Sequence, residues 1–209
     1  MIVSLGCIVE GDGEKRAVPK LLARIASHFA PELQLRIPEP FRVGRNKLVK
    51  PGELERTIEL VARRLLAPRG VFILIDADDD CPAILGPQLL ARARQSRPDV
   101  PAGVVLANRE YEAWFLAAIE SLAGQCGLPS ELPAFPEPES IRGAKGRLSR
   151  LMGRSRGYSE TLDQVALTLQ FDMANARQQS ASFDKCWREV CQLLSAVGPE
   201  PPKSSQPSA

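Results

Sequence analysis

Histidine is all but missing from this chain: His28 stands alone among 209 residues. It follows a helix stripe, and no Ser or Cys dyad accompanies it, which argues against a histidine-activated nucleophile. Cysteine is sparse as well. Cys7, Cys81, Cys126, Cys186 and Cys191 are odd in number and none are spaced C-x-x-C. That pattern argues against a disulfide framework or a zinc ribbon and predicts reduced thiols in a cytoplasmic setting. Cys81 abuts a run of aspartates, where a thiolate is disfavoured, so it is read as a structural thiol. No apolar stretch reaches the ~18 to 20 residues of a membrane span. The apolar N-terminus has no basic segment ahead of it and is interrupted at Glu10, so it does not read as a signal peptide. Nor is there a charge excess: 27 basic and 25 acidic residues leave +2, which speaks neither for nor against nucleic acid. With 44% hydrophobic and 25% charged residues, the composition is that of a folded globular chain, not a disordered, collagen-like or coiled-coil one.

What is present is an alternation. Residues 2–9 (IVSLGCIV) are short, apolar and bounded by glycine, the mark of a buried strand. Val18, Leu21, Leu22, Ile25 and Phe29 then recur at helical spacing, with Pro19 in the first turn. Residues 32–37 read as a second strand and 38–50 as a basic loop. A helix is expected over 52–67, a strand over 71–75, a helix over 82–96, a strand over 103–107, and a helix carrying Tyr111 to Leu122. This β-α repeat predicts an α/β fold over residues 1–125, a Rossmann-like parallel sheet with flanking helices. Residues 126–197 read as a Pro- and Glu-rich loop, a basic stretch and a helical C-terminal part packed on the core. Trp114, Phe115, Phe183 and Trp187 sit at core spacing. Residues 198–209 are expected to be a disordered tail.

The carboxylates carry the functional signal. Glu10, Asp12 and Glu14 follow the first strand; Asp76, Asp78, Asp79 and Asp80 follow the 71–75 strand; Glu110 and Glu112 follow the 103–107 strand. In a parallel sheet all strand ends face one edge, where ligands bind. Three acidic clusters distant in sequence therefore converge, and crowded carboxylates call for a cation. Oxygen-only ligation suits Mg²⁺ or Mn²⁺, one or two ions. Each cluster alone also reads as helix capping, and Glu112, one turn into its helix, also reads as facing solvent. Capping, however, does not require four aspartates within residues 76–80. D-x-D after an apolar strand also opens haloacid-dehalogenase phosphatases, but Asp80 stands where those carry Thr or Val. Metal–nucleotide glycosyltransferases use D-x-D too, and neither family accounts for V-E-G-x-x-E at 9–14.

At Val9-Glu10-Gly11 and Asp76-Ala77-Asp78 the chain resembles a Toprim domain, the catalytic fold of topoisomerases, DnaG-type primases and the overcoming-lysogenization-defect (OLD) nucleases. Glu14, four residues after Glu10, resembles the OLD-like form. The resemblance implies Glu10 as acid/base or metal ligand, Asp76 and Asp78 as metal ligands, Glu14 as a second acid, and Glu110 and Glu112 as the further acids of two-ion members; Asp80 extends the aspartate cluster. No topoisomerase tyrosine or primase zinc module is in view, so hydrolysis is the implied chemistry. Over residues 2–195 the chain is also similar to the bacterial domain of unknown function 4276, through VEGDGEKRAVPKLL, ILIDADDDCP, LANREYEAWFLA, IRGAKGRL and ARQQSASFDK. That family's setting in defence-type gene clusters implies an ATPase partner.

Two basic segments complete the reading. Arg42, Arg45 and Lys47 lie in the 38–50 loop, and Arg142, Lys145, Arg147, Arg150, Arg154 and Arg156 form a stripe without an acid. They read either as phosphate contacts for DNA or RNA or as a solvated face. Lys145, between glycines at 143 and 146, is the candidate for meeting charge on a phosphate, and Arg109 either binds phosphate or pairs with an acid. The expected activity is metal-dependent phosphodiester hydrolysis by a nuclease. The alternatives are a non-catalytic Toprim-like subunit binding nucleic acid or an ATPase, and a metal-dependent phosphatase of small molecules. Self-association is left open.

Overall fold

The computed structural model describes residues 1–153 and 157–198. The apolar run at the N-terminus forms β1 (Ile2–Val9), buried at every position but the first. Burial on both faces is what a central parallel strand requires. On one side β1 pairs in parallel with β4 (Arg69–Asp76), and β4 pairs in parallel with β5 (Ala102–Ala107). On its other side β1 is met by two fragments, β2 (Gln34–Arg36) at its start and β3 (Phe41–Arg42) at its end. Residues 37–40 (IPEP) separate them, and two prolines that donate no hydrogen bond account for the break. The fold is therefore α/β, a parallel five-stranded sheet in the order β2-β1-β4-β5, with β3 also on β1.

Side chains alternate across the sheet. Ile8, Val71, Ile73, Ile75, Val104 and Leu106 pack with α3 (Glu53–Ala62) and α4 (Pro82–Ser96). Val3, Leu5, Cys7, Val9, Phe72, Leu74 and Val105 face α1 (Asp12–Phe29). The same cluster takes in α5 (Ala113–Ala117), α6 (Ala144–Leu151), α7 (Glu160–Gln170), α8 (Met173–Gln179) and α9 (Ala181–Val197). Among the described residues no helix is long and apolar enough to cross a membrane.

Several elements differ from expectation. The 38–50 loop contains β3 and a short α2 (Arg45–Leu48). The helix expected to reach residue 67 stops at Ala62, and the Arg69 guanidinium takes the carbonyls of Ala62 and Leu65 at 3.2 and 3.3 Å beyond its end. The helix expected through Leu122 is the five-residue α5 followed by a 3-10 turn, Ile119–Leu122. The tail at 199–209 and the basic residues Arg154 and Arg156 lie outside the described residues.

The C-terminal helices grip the N-terminal ones. Arg24 of α1 donates to the carbonyls of Thr168 and Phe171 at the end of α7, at 2.6 and 2.9 Å. At the other end, α7 begins against Gly13, where an added Cβ would lie 2.8 Å from the Glu160 carbonyl oxygen and collide with the Gln164 side chain. In an open helix, Gly→Ala gains up to ~1 kcal/mol. Here the sign reverses: Gly13→Ala is expected to lower stability by ~1–3 kcal/mol through overpacking. A urea midpoint that is unchanged or raised would show that α7 is not seated on Gly13.

Candidate functional site

The parallel register brings the first two acidic clusters together. Glu10 follows the last residue of β1, and Asp76 ends the neighbouring β4. The Asp76 N–H donates to Glu10 Oε2 at 3.4 Å, and Asp76 Oδ1 accepts the Tyr111 N–H at 2.8 Å. The chain then turns sharply: Asp78 has a left-handed φ of 51°, and its N–H reaches the Arg109 carbonyl at 3.0 Å. Arg45 pins this turn, donating from Nε to the Asp76 carbonyl at 3.1 Å and pairing with Asp78 and Asp80.

The third cluster is joined by α6. Gly143, at φ 71°, sets the left-handed entry to that helix. The Lys145 N–H in its first turn donates to Glu110 Oε2 at 3.0 Å. From there the Lys145 ammonium lies 3.0 Å from Glu160 Oε1 and 3.9 Å from Asp76 Oδ2. A cleft of about 310 Å³ opens here, lined among the described residues by Glu10, Glu14, Asp76, Asp78, Glu110 and Glu160, with Arg42 and Lys145 as its cations. The lining is thus strongly negative.

Behind the cleft runs a buried polar network. Glu112 is 0% exposed. Its Oε1 accepts the Tyr158 hydroxyl at 2.7 Å and Gln164 Nε2 at 3.1 Å. Gln164 Nε2 also donates to Glu14 Oε1 at 3.2 Å, while Glu14 Oε2 takes the Gly11 N–H at 2.6 Å. Glu112 Oε2 and Gln164 Oε1 are buried with no hydrogen-bond partner among the described residues.

The electrostatics follow from this crowding. Burial, then the charges of Glu112 and Glu14, push the Asp76 carboxyl well above its ordinary range, against the opposing pull of Lys145. Burial raises Glu112 to about 7, with Lys145 and Tyr158 pulling the other way. Glu10 is raised by burial and the Asp78 charge, against the Asp76 N–H. For Lys145 burial disfavours the charge, but Glu112, Asp76 and Glu160 outweigh it and hold the ammonium protonated.

The structure thus brings Glu10, Glu14, Asp76, Asp78, Glu110 and Lys145 to one cleft. Glu112 lies behind it, fully buried at the N-cap of α5 and not facing solvent. Asp80 is drawn aside by Arg45. Among the described residues no His, Cys, Asp and Glu group of three or more is already arranged as a metal-ligand set. Of the basic candidates, Arg42 reaches the cleft and pairs with Asp12 at 3.4 Å. Arg109 and Arg142 both bind Asp79, at 2.6 and 2.9 Å. Lys47 pairs with Glu53 at 3.5 Å, Arg147 stacks over Phe135, and Arg150 is exposed. Tyr158, Glu160 and Gln164 were missed by sequence reasoning. The signal for them was a helix whose buried face carries Asp163, Gln164 and Thr168 beside Leu167, polar where an ordinary amphipathic helix is apolar.

A family model described as Domain of unknown function (DUF4276) matches residues 9–190. No curated protein and no solved structure matches the chain.

Glu112 makes stability pH-dependent in a defined direction. Folding raises its pKa from 4.5 to about 7, so its contribution is full below pH 4.5 and is lost as pH rises towards 7. In EDTA, urea unfolding of the wild type compared with Glu112→Gln should show the wild type losing ground across that window. Parallel stability curves would show that Glu112 ionises as freely in the folded state as in the unfolded chain.

Proposed function

The chain belongs to the DUF4276 family over residues 9–190, and on that footing we propose that it is a Mg²⁺- or Mn²⁺-dependent phosphodiesterase, a nuclease with a Toprim-like acidic site. The observation that carries this reading is the convergence of Glu10, Asp76 and Asp78 on one cleft beside a protonated Lys145. The donor set fits a hard divalent cation: among the described residues it is all oxygen, in excess of its own countercharge, and backed by a buried Glu112 oxygen without a partner. Glu10, Asp76 and Asp78 would hold the ion, which when bound supplies Lewis acidity and makes water acidic enough to attack at neutral pH.

The remaining roles belong to the chain's own side chains. Glu10 is half-buried, and its raised pKa suits it to take a proton from the attacking water. Lys145, held in place by Glu160 and by the anchoring of its own N–H to Glu110, meets the negative charge that develops on the phosphate. Glu112, Gln164 and Tyr158 brace the site from behind. Arg42 on the rim, with Lys47, Arg147 and Arg150 beyond, offers contacts to a nucleic-acid backbone.

One observation favours a second reading, a Toprim-like subunit that acts only with a partner ATPase. Arg45, Arg109 and Arg142 are engaged by Asp78, Asp79 and Asp80, so the chain alone offers fewer free cations to nucleic acid than its sequence promises.

Purified protein should cut labelled DNA or RNA with Mg²⁺ or Mn²⁺ and not with EDTA. Asp76→Asn and Glu10→Gln are each expected to lower cleavage by ~10²-fold or more, and Lys145→Met to lower kcat by ~10²-fold with little change in KM. Undiminished cutting by Asp76→Asn would sink the proposal. A folded wild type that cuts nothing with any metal would support the partner-dependent subunit.

A further inference from the structure

Seven acids make up the ligand set expected from the sequence, but most are committed elsewhere. Glu14 has both oxygens engaged, one by the Gly11 N–H at 2.6 Å and the other by Gln164 at 3.2 Å. Glu110 accepts the Lys145 N–H, and Asp80 is bound by Arg45. Glu10, Asp76 and Asp78 line the cleft side by side at the ends of β1 and β4, Asp78 with a longer contact to Arg45 at 3.7 Å.

Facing them is a second gathering of carboxylates, already centred on a cation. The Lys145 ammonium lies 3.0 Å from Glu160 and 3.9 Å from Asp76. Glu112 stands near enough for its charge to act on both Lys145 and Asp76. Its Oε2 is fully buried and has no hydrogen-bond partner among the described residues. The two ion pairs of Lys145 show a cation already seated here, and the buried Glu112 oxygen behind it adds a charge that no hydrogen bond meets among the described residues. Asp76 ends β4, Glu112 precedes α5 and Glu160 opens α7, so three elements converge on one positive charge.

Resting on the nuclease reading above, we propose that the site binds a single divalent ion, held by Glu10, Asp76 and Asp78. Lys145, seated among Asp76, Glu112 and Glu160, is the built-in cation where a two-ion site would hold its second ion. The chain favours this arrangement physically. The lysine is covalently tethered, so its charge is present whatever the metal concentration. Its helix is fixed by Gly143 and by Glu110. A second divalent ion would have to displace the ammonium from two carboxylates or sit against it, where like charges repel.

The test is the number of Mn²⁺ ions bound per chain, read by calorimetry and by the loss of the free-ion electron paramagnetic resonance signal. Wild type should bind one ion. Lys145→Ala should bind two, Lys145→Arg one, and Lys145→Ala combined with Glu160→Gln should lose the second ion again. Two ions on wild type would overturn the inference and leave the nuclease reading standing. One ion on both wild type and Lys145→Ala would show that the lysine does not occupy a metal seat. No ion on wild type would remove the metal site itself, and with it both readings. Should Lys145→Ala be unfolded in EDTA, excess Mn²⁺ is expected to restore its fold and raise its Tm more than that of wild type. A variant that stays unfolded with Mn²⁺ counts against the inference, because the ion then cannot replace the ammonium.

Discussion

Repulsion between carboxylates governs this molecule. Six of them line one cleft at the carboxyl edge of a parallel sheet, and each close pair costs several kcal/mol at ~4 Å if both ionise. The chain answers in three ways. Arginines neutralise the outer aspartates, Arg45 at Asp80 and Arg109 with Arg142 at Asp79. A lysine is driven into the middle, beside Asp76 and Glu160. Where burial outweighs the pull of that lysine, the acid holds its proton more tightly, as Asp76 and Glu112 do.

The groups that surround the inner acids come from the far half of the chain. Lys145 is delivered by α6, Tyr158 by the segment before α7, and Glu160 and Gln164 by α7 itself. The α/β core alone would pair its outer aspartates with Arg45 and Arg109 but would leave Asp76 without Lys145. The C-terminal helices therefore complete the site as well as cover the sheet, and the proposed chemistry depends on them through Lys145.

This division explains what was legible in advance. Strands, sheet direction and the acids at strand ends could be read because each is written in adjacent residues: VFILI runs directly into Asp76, and Glu10 directly follows Val9. Pairs such as Glu110–Lys145 and Glu14–Gln164, which give the acids their roles, join residues 35 and 150 positions apart, and no local pattern announces them. For Glu14 and Glu110 the capping and ligand readings both stood open. In the structure each caps an N–H at a helix start, its own helix for Glu14 and α6 for Glu110. Glu112 was misread because periodicity assumes a solvent face, whereas all five residues of α5 are buried.

The dependence of α1 on α7, and of the sheet face on α9, has a consequence for how the chain is made. Val3, Leu5, Cys7 and Phe72 share a core with Phe183, Val190 and Leu194. A ribosome releases β1 more than a hundred residues before α9, so part of this apolar face stays uncovered through most of synthesis. Contacts of such long separation slow folding, because loop closure comes before any reward. During that interval the nascent chain presents bare parallel strands, the form of unfinished protein that most needs a chaperone's shelter.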